Sequence, residues 1–194
     1  MHKPLLALFT SLALTGAVHA QTETWKIDPA HSAAQFAVRH MSISTVRGAF
    51  TKLAGTVQYD PADVSKTALD VTINVDSVDT RVEARDKDLR TAKYFDVEKF
   101  PTITFKSKHA EQAGAGKLKI AGDLTMHGVT KEVLLDVEGP TPAVKDAKGI
   151  LHMGASATSS LNRSDFGMTN GQPIVGNEIT ITLDVELTKP DAAK

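Results

Sequence analysis

The sequence predicts an all-β protein of about eight antiparallel strands, closed as a barrel or stacked as a sandwich, with one short helix. Three observations carry this. Apolar and polar residues alternate with a period of two over most of the chain, which is the pattern of strands with one dry and one wet face. Several of the alternating segments are joined by short connections, as antiparallel neighbours allow. Only one stretch of any length has helical spacing.

Residues 1–20 read as a leader. Lys3 supplies a positive start, Leu5 to Val18 an apolar stretch, and Val18-His19-Ala20 the small or modest residues that a signal peptidase reads. The apolar stretch is shorter than the roughly 20 residues that span a bilayer. Gln21 stands where a lipoprotein would need cysteine. The expectation is cleavage after Ala20 and a periplasmic product without a stable membrane anchor, a single domain over 21–194.

The strands follow in order. Ser32–His40 and Val46–Tyr59 alternate, and Asp60-Pro61 ends the second of them. Leu69, Val71, Ile73 and Val75 alternate with Asp70, Thr72, Asn74 and Asp76. Thr80 with Glu83 reads as a capping box. It opens a helix over Arg81–Thr91, in which Val82, Asp86 and Leu89 keep helical spacing. Thr102–His109, Lys117–Thr125, Thr130–Val137 and Leu151–Asn162 are further strands, with Met126-His127-Gly128-Val129 as a tight hairpin turn. Gly139 to Gly149 is a loose connection. Ile179, Ile181, Leu183, Val185 and Leu187 form the inward row of a last strand, and Lys189 to Lys194 reads as a frayed tail.

Composition narrows the function. Without the leader, 21 basic residues face 23 acidic ones, a net charge of −2. So balanced a chain has no electrostatic footprint for nucleic acid or an anionic membrane. It has no cysteine, which excludes thiol catalysis, thiolate metal sites and disulfides. The remaining 174 residues can bury a core without such staples.

Catalytic signatures are missing. There is no G-x-S-x-G elbow. Gly116-Lys117 lacks the earlier glycine of a phosphate loop, because Glu111 stands there. Asp165-Phe166-Gly167 spells a kinase tripeptide without its companions. None of the histidines behind the leader (His31, His40, His109, His127 and His152) is spaced as a local metal pair, although strands can bring two together. No metal is expected. His31 and His127 read as loop or turn residues bonded to backbone, and His40 shares a strand face with Phe36 and Val38. The charged helix around Arg85 and Asp86 reads as a solvated face. The functional alternative turns one of these residues inward, to a ligand head group or to lock the barrel mouth. The phenylalanines are spread over separate segments and either fill a core or line a tunnel.

Taken together, several phrases resemble the YceI-like family of exported polyisoprenoid-binding proteins. They run from Trp25-Lys-Ile-Asp-Pro-Ala-His31-Ser32, Phe36, Arg39-His40 and Gly48-Ala-Phe50 through Ser77-Val-Asp-Thr80, Arg85-Asp86 and Phe95-Asp96. They continue with Gly122-Asp-Leu124-Thr125, His127-Gly128-Val129-Thr130-Lys131, Asn162-Arg163-Ser-Asp165-Phe166-Gly167-Met168 and Val175-Gly176. The resemblance covers Trp25 to about Leu187. It implies a lipocalin-like, eight-stranded antiparallel barrel with a helix near one opening. It also implies an isoprenoid lipid, polyprenyl or quinone, in the lumen as bound ligand, with no resident cofactor. Inward Phe36, Val38, Phe50, Val71, Ile73, Phe95, Phe105, Leu124 and Leu183 are then the candidate lining. Arg39, His40, Arg85 and Asp86 are candidates for head-group contacts or a network at the mouth. A one-residue slip in strand parity exchanges Arg39 and His40. Ala33-Ala34 departs from the bulkier residue expected there and widens the lumen if Ala34 faces inward. Such a barrel is compatible with a homodimer. Two other classes stay open: an envelope-stress interaction protein with a filled barrel, and an enzyme using His40 or Arg85/Asp86 as acid–base groups.

Overall fold

The computed structural model describes residues 22–190. The leader reading and its cleavage after Ala20 lie outside the described residues, as do 191–194.

The chain forms a closed antiparallel barrel of eight staves, three of them broken in the middle. The first stave is β1 (Glu23–Ile27) followed by β2 (Ala33–His40), and the second is β3 (Ser44–Phe50) followed by β4 (Leu53–Tyr59). The third is β5 (Ala68–Asn74) followed by the two-residue β6 (Val78–Asp79). Helix α1 (Glu83–Arg90) then leads into the long hairpins β7 (Thr102–Gly114), β8 (Lys117–Met126) and β9 (Val129–Glu138). The short β10 (Val144–Lys145), β11 (Ile150–Asn162) and β12 (Val175–Pro190) complete the ring. β12 pairs with β11 over thirteen residue pairs on one flank and with β1 and β2 on the other, which joins the last stave to the first.

The breaks have a local cause. The sequence predicts one strand over Val46–Tyr59, but pairing is handed over at Thr51-Lys52. There the Thr51 amide donates to Ser77 O, the Lys52 amide donates to Ser77 Oγ, and the Asn74 amide donates to Lys52 O. β1 escapes the alternation rule because only Trp25 and Ile27 point inward, too few to register as a period. The final strand runs through Lys189 and Pro190, which pair with Leu151 and Ile150, so the predicted fraying does not begin there. Lys189 is held by Glu23 at 2.5 Å and lies 4.8 Å from the Trp25 ring centre.

The predicted hairpin turn is present. His127 and Gly128 have φ of 51° and 76°, the twin left-handed pair that matches strand twist in two-residue hairpins. The predicted capping box is not formed. Val82 occupies the N-cap without a side-chain bond. The Thr80 hydroxyl instead donates to Asp86 Oδ1 at 2.5 Å, and the Thr80 amide does so at 2.8 Å. A buried carboxylate needs those donors more than an exposed helix end does.

Candidate functional site

Two packed clusters line the barrel. The larger includes Phe50, Phe105, Leu124 and Phe166; the smaller gathers Trp25, Ile27, Leu53, Met153 and Leu187. Between them the interior is not filled. A cavity of about 260 Å³ runs from Tyr59, Thr67 and Met153 at one end to Leu89, Tyr94 and Val175 near the helix. Its exposed wall is almost entirely carbon.

Nine residues singled out in the sequence meet on this wall. Phe36 and Val38 come from β2, Phe50 from β3, Val71 and Ile73 from β5, and Phe95 from the segment after α1. Phe105, Leu124 and Leu183 come from β7, β8 and β12. Phe36 and Phe50 lie with ring centres 5.7 Å apart, and Phe95 meets Phe50 edge-on at 5.5 Å. Two of the rings lie against glycines of neighbouring strands. A β-carbon on Gly48 would come within 2.5 Å of Phe36, and one on Gly122 within 2.5 Å of Phe105. Ala34 is buried and faces the cavity, which meets the condition under which it widens the lumen.

The four polar candidates are not on the wall. Arg39 is exposed, on the outer face of β2, and donates to Thr45 Oγ1 at 2.9 Å and Ser42 O at 2.6 Å. His40 keeps the parity of Phe36 and Val38 but sits at the strand's end, beyond the cavity. Arg85 and Asp86 converge on Thr80: Arg85 Nε donates to its hydroxyl at 2.7 Å and a terminal nitrogen donates to its carbonyl at 2.9 Å. Asp86 is thus buried, not part of a solvated face. Arg90 repeats the device at the other end of α1, donating to Asp76 O and Val78 O. The two arginines and Asp86 clamp the helix onto the 76–80 segment.

Sequence reasoning passed over two parts of the site. The inward rows of β8, β9 and β11 supply Leu118, Ile120, Leu135, Val137, Met153 and Ala157 to the wall. The alternation that places Leu124 inward extends along β8 to Leu118 and Ile120. The other part is Arg163, 5% exposed and among the residues that line the cavity. It donates to the carbonyls of Gly176, Met168, Asn170 and Val175 at 2.8–3.0 Å, and so ties the 163–176 connection across the barrel end. Burial pulls its pKa below the usual arginine value, against an opposing pull from Tyr94. No spacing rule announces a cation that bonds only to carbonyls.

The histidines divide. His127 Nδ1 donates to Phe166 O at 3.0 Å, a backbone bond as expected. His31 departs from expectation: its Nδ1 meets the Asp28 carboxylate at 2.8 Å. No helix among the described residues is long and apolar enough to cross a membrane.

Comparison with known proteins matches this geometry. The YceI protein of Salmonella newport is 34% identical over 188 residues, covering 96% of this chain and 97% of that one. The crystal structure of the Campylobacter jejuni YCEI protein superposes with a TM-score of 0.70 at 26% identity, over 95% of this chain and 100% of that one. A polyisoprenoid binding domain from Saccharophagus degradans shares the fold, with a TM-score of 0.62 at 13% identity, over 88% and 100% of the two chains. The YceI-like domain model spans residues 25–187, from the middle of β1 to within three residues of the end of β12, and the chain belongs to that family.

Proposed function

We propose that this chain is an exported carrier that holds an isoprenoid lipid, of polyprenyl or quinone type, inside the barrel. The observation that carries the reading is the wall of the cavity. A single buried water needs only about 10–15 Å³ and two to four polar partners. The cavity offers about 260 Å³ and almost no polar atom, so it suits an apolar guest and not a water cluster. Each 100 Å² of tail withdrawn from water contributes about 2.5 kcal/mol before binding costs. The family membership and the ligand named for the Saccharophagus degradans relative support the isoprenoid class. Binding is favoured over catalysis because the wall presents almost nothing to move a proton, and His40 stands outside it. The open lumen also speaks against the filled-barrel alternative.

The test is extraction. Protein purified natively from the periplasm carries a prenyl lipid, recovered into organic solvent and identified by mass spectrometry. Added quinone or polyprenol changes the fluorescence of Trp25, which belongs to one packed cluster with wall residues Leu53 and Met153. Repeated lipid-free preparations, together with no response of Trp25 or of the melting temperature to either lipid, would overturn the reading.

A further inference from the structure

We propose that the outer face of the barrel carries a second site, for a divalent transition ion of the zinc class, built from Asp28, His31 and Glu186. The three residues meet where the first stave breaks between β1 and β2 and crosses β12. Their donor atoms all lie within 4.8 Å of one another. His31 Nδ1 is 2.8 Å from Asp28 Oδ2 and 3.9 Å from Glu186 Oε1. Donors about 2.0–2.2 Å from one tetrahedral zinc stand about 3.3 Å apart, so the observed spacings straddle the one required. One imidazole with two carboxylates is a nitrogen–oxygen set that suits zinc better than calcium or magnesium, which prefer oxygen alone. With three protein donors, a fourth position stays open to water.

The donors are held in place before any ion arrives. Asp28 spends Oδ1 on the Ala30 amide at 2.9 Å, which leaves Oδ2 toward His31. The Glu186 backbone is fixed on both sides: its carbonyl accepts from the Asp28 amide at 2.9 Å, and its amide donates to Ser32 Oγ at 3.0 Å. Its side chain points outward between the inward-facing Val185 and Leu187. Behind it, His152 Nδ1 lies 2.7 Å from Glu186 Oε1, and His152 Nε2 lies 3.5 Å from Asp146 Oδ2. Such an outer carboxylate–histidine chain orients a ligand carboxylate. His31, His152 and Glu186 border a shallow hollow with Thr141 and Val144, which leaves an approach path. The carboxylates hold both imidazoles protonated more firmly than usual, Asp28 acting on His31 and Glu186 on His152. A bound cation takes the place of the His31 proton, while His152 keeps the one it shares with Glu186.

The site faces away from the lipid cavity, so its test is independent of the lipid reading. Untagged, chelator-washed protein is titrated with Zn²⁺ by calorimetry, and with Co²⁺ by visible absorption. One equivalent binds with a micromolar or lower Kd. His31→Gln and Asp28→Asn each weaken it at least tenfold, while both variants keep the parent's circular dichroism and metal-free melting temperature. His109→Gln is the control, since His109 forms another exposed pair, with Glu111 at 3.7 Å, and leaves binding unchanged. Absence of saturable binding, or binding indifferent to both His31→Gln and Asp28→Asn, would sink the proposal.

Discussion

Ala34 sits between Phe50 and Leu183 on neighbouring strands, and its methyl group is all that stands between backbone and cavity at that level. Ala34→Leu therefore grows into the lumen. The expected result is a severalfold loss of co-purified lipid per protein, or a shift to shorter tails. The lipid-free melting temperature should move little, because an open cavity spares the variant the roughly 1–3 kcal/mol of overpacking. Unchanged lipid load by mass spectrometry would show that Ala34 does not limit capacity. At this scale the sequence was informative about apolar side chains and poor about polar ones. Parity along a strand says which face Phe36 and Val38 occupy. It cannot say that Arg39 will bond to the turn beside it, or that His31 and His152 will both reach Glu186 across the sheet.

The elements depend on a few buried polar anchors. Thr80→Val removes the hydroxyl that serves both Asp86 and Arg85, leaving a buried carboxylate one donor short. A cost of about 1–3 kcal/mol follows. It should be local, with faster amide hydrogen exchange across 83–97 and unchanged protection in β7 and β8; Thr80→Ser should restore the parent pattern. Arg163→Met strips four carbonyls of their donor in one step, and a loss of about 2–4 kcal/mol in urea unfolding is expected. Arg163→Lys should not recover it, because an ammonium cannot span the four carbonyls that the planar fork reaches. The helix itself was legible from its spacing, whereas its cap was not: a tertiary contact claimed the threonine that local rules assign to the helix start. β1 stayed hidden for the opposite reason, having too few inward residues to show a period.

For the whole molecule, alternation predicted the strands, but a sandwich and a barrel alternate alike, so closure came from the pairing of β12 with β1 and β2 and not from any local pattern. A ligand that binds only the closed barrel stabilises it by mass action. At a hundredfold excess over Kd that is about 2.7 kcal/mol, or about 5–10 °C for a domain of this size. Stripping the lipid with detergent should lower the melting temperature by that margin in calorimetry, and adding it back should reverse the shift; equal melting with and without lipid would contradict occupancy of the lumen. Closure also settles how copies of this chain treat one another. An open sheet offers its outermost strand as a template on which a neighbour can add its own, the first step toward aggregation. Here the terminal members of the sheet order are β6 and β10, two residues each. With no cysteine to staple it, the chain has in its own ring a defence against strand-by-strand assembly in a crowded compartment.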